Sequence, residues 1–270
     1  MKLVKWRAAA LMCAALILLA LPLLASCSKE EAKPERKALI KSPNIIKDGT
    51  LKVGVNLGFA PYAVDQGDVK VGLDADVAQF LSQKLGLYPE FVAIDPDEAD
   101  SALADGKVDV VLSVPMDDGN VTVVGPYADG GVAYYTASGK NAKPADITAG
   151  LPVGVQKNSV GYWKLVQTLG ADKIKAYKTD AELISALSSG AVKFGALDSV
   201  VGQYATAGGA KITLVDYVDG KTALGVGVSS DKQELAAKVK SIMSNPANAS
   251  VLSSINRKWL STAQKEATNK

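Results

Sequence analysis

The chain has 270 residues, with 30 basic and 28 acidic side chains, no histidine and two cysteines. A near-neutral chain gives no electrostatic argument for nucleic-acid binding. The absence of histidine removes the commonest general base and the commonest metal ligand. Ser-His and Cys-His catalytic pairs are therefore excluded, and we expect neither a metal nor a cofactor.

The N-terminus has the charge and hydropathy order of a secretory signal peptide. Lys2, Lys5 and Arg7 precede an apolar run over residues 8–23, and small residues then lead to Cys27. This order predicts an export signal that is removed from the mature chain. The alternative is a transmembrane anchor, but the run is shorter than the roughly 20 residues that span a bilayer.

The segment Leu24-Ala25-Ser26-Cys27 resembles the lipobox of bacterial lipoproteins, in which the cysteine is diacylated and becomes the first mature residue. The resemblance implies a signal peptide over residues 1–26 and a lipid anchor, with acyl groups such as palmitate, on Cys27. The mature chain would then hold 28 acidic and 27 basic residues and no disulfide. It would lie on the extracytoplasmic face of the cell membrane. Residues 27–43 begin with a polar, charged stretch and are predicted to form a flexible tether.

Short apolar strands alternate with helices in the first part of the body, a pattern that predicts a parallel sheet covered by helices. Strand alternation, acidic helix starts and glycine stops give the bounds. The predicted strands are 51–55, 90–94 and 108–114, and the predicted helices are 72–86 and 97–104.

A second βαβαβ arrangement follows and predicts a second lobe. The segment Thr179-Asp180-Ala181-Glu182 matches a capping box at the start of one helix. The fold class is therefore α/β, with two lobes, each a mostly parallel sheet flanked by helices, and a ligand cleft at the strand ends. The predicted strands are 151–156, 173–177, 194–198, 212–215 and 223–228, and the predicted helices are 159–169, 183–188, 199–204, 233–243 and 248–260.

Residues 47–260 resemble the bacterial family 3 extracellular solute-binding proteins, the polar amino-acid receptors of ABC importers. The resemblance is carried by six motifs in the order and spacing of the family. They are Phe59-Ala60-Pro61-Tyr62, Gly72-Leu73-Asp74-Ala75-Asp76-Val77-Ala78, residues 103–109, Gly125-Pro126-Tyr127, Val153-Gly154-Val155-Gln156 and residues 187–198.

The resemblance implies a type II periplasmic-binding-protein fold. Lobe 1 is predicted over residues 44–128 and 221–263, and lobe 2 over residues 129–220. A monomer with this fold would capture a small polar solute and deliver it to an ABC transporter permease.

The resemblance also implies ligand-binding residues, three of which have a structural alternative. Phe59 would lie against the ligand, or would be a core aromatic. Asp198 would receive the ligand's ammonium group, or would cap the next helix. Ser159 would bind a carboxylate at a helix start, or would be a simple N-cap. Asn56 would reach the pocket from the first loop, and Met116 stands roughly where the family has a threonine.

One departure from the family bears on the ligand. The family carries an arginine after the third strand that grips the ligand carboxylate, but this chain has no arginine between Arg36 and Arg257. We therefore predict an amine-bearing solute that does not depend on such a clamp. Two other classes stay open: a cyclohexadienyl-dehydratase-like enzyme using Asp117, Asp118 or Asp198, and a sensor or adhesin without a ligand.

Overall fold

The computed structural model describes Pro34, residues 36–147 and residues 151–260. The predicted signal peptide, Cys27 and the first part of the tether lie outside these residues. The packed body begins at Lys37, ahead of the predicted start of lobe 1 at residue 44. Apolar side chains explain the earlier start, because Ile40 is buried in the core and the Leu39 N–H donates to the Leu85 carbonyl.

The strands and helices alternate along most of the body. The strands are β1 Thr50–Val55, β2 Val64–Gln66, β3 Val69–Val71, β4 Tyr88–Ala93, β5 Val110–Pro115, β6 Thr122–Gly130, β7 Val132–Ala137, β8 Val153–Gln156, β9 Ile174–Tyr177, β10 Phe194–Asp198, β11 Ile212–Tyr217 and β12 Thr222–Val228. The helices are α1 Leu73–Leu85, α2 Ala99–Ala104, α3 Pro144–Ile147, α4 Val160–Leu169, α5 Asp180–Ser189, α6 Ser199–Ala207, α7 Gln233–Ser244 and α8 Pro246–Leu260. Short 3₁₀ turns cover Pro96–Glu98 and Ala171–Lys173.

Two five-stranded sheets form the centres of two lobes. The first has the order β4-β1-β5-β12-β6, and the second has the order β11-β7-β10-β8-β9. In each sheet two neighbouring pairs are parallel and two are antiparallel. The parallel pairs come from the predicted βαβαβ units, and the antiparallel pairs come from the strands that run between the sheets. The predicted two-lobed α/β class is confirmed, but the sheets are mixed and not mostly parallel as predicted, because the strands that run between the lobes join each sheet antiparallel.

The chain crosses between the sheets twice. The first crossing is Gly131, which stands between β6 and β7 with a φ of 111°. The second is residues 218–221, between β11 and β12. A positive φ of this size is open to glycine at little cost, so a sharp change of direction is possible at Gly131.

Several predicted helix ends are confirmed by capping geometry. Gly86 and Gly190 end α1 and α5 in the left-handed conformation. The Thr179 hydroxyl accepts a hydrogen bond from the Glu182 N–H at the start of α5. The sequence did not predict β6 and β7. Gly125 and Pro126 interrupt the alternation in β6, and a proline is tolerated there because β6 is an edge strand.

The two lobes are in contact through α6. Val200 and Val201 of this helix are buried in the same apolar cluster as core residues of the first lobe. On the next turns, the Tyr204 ring lies 6.4 Å from the ring of Trp259 in α8. The Trp259 indole N–H in turn donates to the Asp76 carboxylate of α1 at 2.7 Å. Helix α6 of the second lobe therefore packs against the first lobe. Among the described helices, none has the length and apolar character to cross a membrane.

Candidate functional site

Asp198 ends β10 and begins α6 at the junction of the two lobes. Its Oδ1 accepts hydrogen bonds from the backbone N–H groups of Val200 at 2.9 Å and Val201 at 3.1 Å. This is an N-cap, so the structural alternative considered for Asp198 holds. Burial raises the pKa of the Asp198 carboxyl, while the hydrogen bonds it accepts act in the opposite direction.

Tyr62 of the first lobe reaches across to the same carboxylate. Its hydroxyl lies 3.0 Å from Oδ1 and 3.1 Å from Oδ2 of Asp198. The ring is buried and stacks on Phe59, with centroids 5.9 Å apart and planes 13° from parallel. Burial and the charges of Asp198 and Asp74 hold the Tyr62 pKa well above its ordinary value. The hydroxyl is therefore protonated and acts as the donor.

A second buried carboxylate, Asp74, begins α1. It is 1% exposed and accepts hydrogen bonds from the Ser113 hydroxyl at 2.9 Å and the Tyr127 hydroxyl at 2.8 Å. Burial raises the Asp74 pKa to about 7, and the charge of Asp198 adds to that rise. Ser113 has a φ of 59°, an uncommon conformation for a residue with a side chain.

The acidic centre, as we call Asp74, Asp180 and Asp198, has no cationic partner among the described residues. The pKa of Asp180, at the first turn of α5, is raised to about 6 by burial and by the charge of Asp198. In the described part of the chain, no lysine or arginine nitrogen lies within 4 Å of these three carboxylates. A positively charged group brought between the lobes would therefore meet uncompensated negative charge.

The structure brings together only two of the five predicted site residues. Phe59 and Asp198 meet through Tyr62. Ser159 caps α4, accepting from the Tyr162 N–H at 3.1 Å and donating to the Gln156 carbonyl at 2.8 Å. Asn56 is half-buried just after β1. The ligand-binding roles of the predicted site residues stay predictions.

The segment after β5, where the family carries an arginine and this chain does not, forms a surface turn. Met116 is half-buried, and its backbone N–H donates to the Ala223 carbonyl at 2.8 Å. Asp117 is exposed and accepts from the Thr222 hydroxyl at 3.2 Å, while Asp118 accepts from the Asn120 N–H at 2.8 Å. Arg257 stands on α8 and donates to Ser253 and Ser254 of its own helix.

Sequence reasoning did not assign roles to Tyr62, Asp74, Ser113 and Tyr127. Tyr62, Asp74 and Tyr127 stand inside the motifs that carried the family resemblance, and that position was the signal available. Ser113 lies in a predicted strand with nothing to distinguish it. No group of three or more acidic or cysteine side chains in the described ranges is placed to hold a metal ion.

Comparison with known proteins agrees with this architecture. Residues 51–262 match the model of the bacterial extracellular solute-binding proteins, family 3. The chain is 24% identical over 218 residues to the probable ABC transporter arginine-binding protein ArtJ of Chlamydia trachomatis serovar D, covering 77% of this chain and 84% of that one.

Two solved structures have a similar fold. One is an ancestral cationic amino-acid solute-binding protein, with a TM-score of 0.68, 24% identity and coverage of 78% of this chain and 96% of that one. The other is an ancestral arginine-binding protein bound to arginine, with a TM-score of 0.56, 27% identity and coverage of 78% and 98%. On the match over residues 51–262, this chain belongs to the bacterial extracellular solute-binding proteins of family 3.

Proposed function

We propose that the protein captures a small amine-bearing solute, cationic or neutral, outside the cytoplasm and delivers it to an ABC permease. The acidic centre carries the proposal, because it offers one buried and two half-buried carboxylates with no cation within ion-pair distance among the described residues. A buried charge without a partner is strongly unfavourable. A ligand ammonium or guanidinium would supply the missing countercharge.

Arginine is the probe of choice. ArtJ is named as an arginine-binding protein, and an ancestral protein 27% identical to this chain is described as bound to arginine. Both names give a cationic amino acid as the ligand, which is the class of ligand that the acidic centre would favour. We expect weak binding of glutamate and aspartate, because their side-chain carboxylate adds a second negative charge next to the acidic centre. The family arginine that pairs with a ligand carboxylate is absent, and a helix N-terminus supplies only about half a unit of positive charge.

Titration calorimetry against L-arginine, L-lysine, amines, L-glutamate and L-aspartate tests the proposal. Binding of cationic or neutral amine ligands, with little binding of the acidic amino acids, is the expected outcome. Submicromolar binding of glutamate would contradict it.

Binding is favoured over catalysis for this chain. Two of the three acids considered for a dehydratase-like reaction, Asp117 and Asp118, lie on the turn after β5 and not with Asp198. The mechanism we propose is closure of the two lobes by rotation at the two crossings, Gly131 and residues 218–221. Product formation from an arogenate- or prephenate-like acid would argue for the enzyme instead.

We also propose that Cys27 carries the lipid that holds the protein on the membrane. The support is the sequence alone: a charged n-region, an apolar run and a lipobox-like Leu-Ala-Ser-Cys. Cys27→Ser should move the protein from the membrane to the soluble fraction. The matched control is Cys13→Ser, which changes the other cysteine and should leave the protein on the membrane. An intact Cys27→Ser variant that stays tightly membrane-bound would contradict the anchor.

A further inference from the structure

The contact between Tyr62 and Asp198 is a hydrogen bond between the lobes at the point where a ligand amine is proposed to bind. We propose that the Tyr62 hydroxyl is an internal stand-in for that amine: it latches the lobes together without ligand, and a ligand must displace it. The proposal rests on the proposed function, since it takes Asp198 as the residue that receives the ammonium group. Tyr62 is thus a positioning residue for closure and a determinant of affinity.

The Tyr62 hydroxyl lies within hydrogen-bond distance of both oxygens of Asp198, at 3.0 Å from Oδ1 and 3.1 Å from Oδ2, but only Oδ1 also caps α6. Oδ1 accepts from the N–H groups of Val200 and Val201, which belong to the same lobe as Asp198 and stay with it when the lobes separate. Among the described residues, the donor to Oδ2 is the Tyr62 hydroxyl of the other lobe, at 3.1 Å. Opening therefore leaves the helix cap intact and removes the donor from Oδ2. A ligand ammonium group is a donor for the same vacant oxygen.

Tyr62 is held rigidly to the first lobe. Its N–H donates to the Phe59 carbonyl at 2.9 Å, and its own carbonyl accepts from the Asp74 N–H at 2.9 Å. The side chain stacks on Phe59 and is 8% exposed. Because both backbone and ring are fixed, the hydroxyl reaches Asp198 only when the lobes are close together.

The latch has two measurable consequences. A hydrogen bond to an ionised group favours the bonded state by about tenfold or more. Only open molecules can bind ligand. The apparent affinity is therefore the intrinsic affinity multiplied by the fraction of empty molecules that are open. Removing the hydroxyl should open the empty protein and tighten ligand binding.

Hydrogen exchange of the full chain in detergent, without ligand, tests the first consequence. Tyr62→Phe removes the hydroxyl and keeps the ring, and we expect exchange at least several-fold faster in α6 and in residues 57–63, with β8 and β9 unchanged. Tyr177→Phe is the matched control, because the buried Tyr177 hydroxyl has no hydrogen-bond partner among the described residues. The Tyr177→Phe variant should show the same exchange rates as the parent protein.

Exchange in α6 that is unchanged by Tyr62→Phe would overturn the latch. So would faster exchange spread evenly over both lobes, because that pattern reports general destabilisation. A second variant guards against a folding defect: Asp198→Asn keeps a side-chain oxygen to cap α6 but removes the charge. Adding Tyr62→Phe to Asp198→Asn should raise exchange in α6 less than Tyr62→Phe does alone, and an equal rise would contradict the latch.

Titration with L-arginine tests the second consequence. Tyr62→Phe should tighten arginine binding by about tenfold, and unchanged or weaker binding would contradict competition for Asp198. If neither the parent nor the variant binds arginine, the proposed preference for cationic amino acids fails. The exchange measurement then still decides whether Tyr62 latches the lobes.

Discussion

The acidic centre and the turn after β5 are both rich in aspartate, but their surroundings differ. Asp74 is enclosed within the first lobe and Asp198 is half-buried at the junction of the lobes, and each accepts hydrogen bonds from tyrosine. Asp117 and Asp118 lie on a surface turn and bond only to residues close to that turn. The first pair has raised pKa values.

This difference bears on the two ends of the proposed ligand site. Asp198, which we propose meets the ligand ammonium group, is fixed by the fold itself, because it also caps α6. The turn after β5, where the family carries its carboxylate-binding arginine, is held by surface hydrogen bonds such as those of Asp117 and Asp118. The amine end is therefore the more constrained of the two, and changes in the acidic centre should have larger effects than changes in the turn.

Asp198→Asn is expected to have the largest effect. It removes the countercharge of the ligand amine while the amide oxygen continues to cap α6, so L-arginine affinity should fall by about 10- to 100-fold. Calorimetric titration measures this loss. Asp180→Asn is the control, because it removes a neighbouring charge that carries no proposed ligand contact, and it should cost less. Equal losses of affinity in the two variants would mean that the overall negative charge of the acidic centre matters, and not a direct contact with Asp198.

Asp74→Ala should lower the free energy of unfolding by about 2–3 kcal/mol. The substitution leaves the Ser113 and Tyr127 hydroxyls buried without their acceptor, and an unsatisfied buried donor typically costs about 1–3 kcal/mol. Urea denaturation measures the change. Asp74→Asn keeps an acceptor oxygen and should lose much less. Similar losses in both variants would mean that the charge, and not the hydrogen bonds, matters at this position.

The stability of the empty protein should fall as the pH rises from about 4 to about 7. The folded-state pKa values of Asp74, about 7, and Asp180, about 6, lie above the ordinary value of 3.8, and that of Asp198 is also raised. The folded state therefore binds more protons than the unfolded state in this interval, and ionisation destabilises it.

Urea denaturation at several pH values between 4.5 and 7.5 measures this dependence. We expect a loss of about 1 kcal/mol or more, since one unit of pKa shift corresponds to about 1.4 kcal/mol. Asp74→Asn should flatten the curve. A parent curve that rises over the whole interval, or one that the substitution does not change, would contradict the assignment.

Asp117→Ala and Asp118→Ala should have the smallest effects. Surface substitutions away from special features usually change stability by less than about 0.5 kcal/mol, and arginine affinity should change by less than twofold. The same denaturation and titration measurements apply. A large gain or loss of affinity in either variant would bring the turn into the ligand site and weaken the contrast with the acidic centre.

The sequence predicted the local elements because their signals are local. Gly86, Gly190 and Thr179 mark helix ends through backbone freedom and side-chain capping. The strand β6 escaped prediction for the same reason, since Gly125 and Pro126 break its alternation. Pairing with β12 along Thr122–Gly130 forms that strand regardless.

The candidate site was only partly predictable. Asp198 was singled out with two alternative roles, and the cap role is local enough to be expected from a residue that precedes a helix. Ser159 likewise caps α4. Tyr62 and Asp74 were visible only as members of motifs, because nothing in their neighbouring residues indicates a bond to a distant side chain.

By itself the sequence determined the alternation of strands and helices, the helix caps and the lack of an arginine between residues 36 and 257. Those features depend on residues within a few positions of each other, or on composition. The tertiary structure alone decided the acidic centre, which joins Tyr62 to Asp198 across 136 positions and Asp74 to Tyr127 across 53. Such contacts depend on sheet order, on the two crossings and on how closely the lobes approach, and no local period in the sequence encodes those distances.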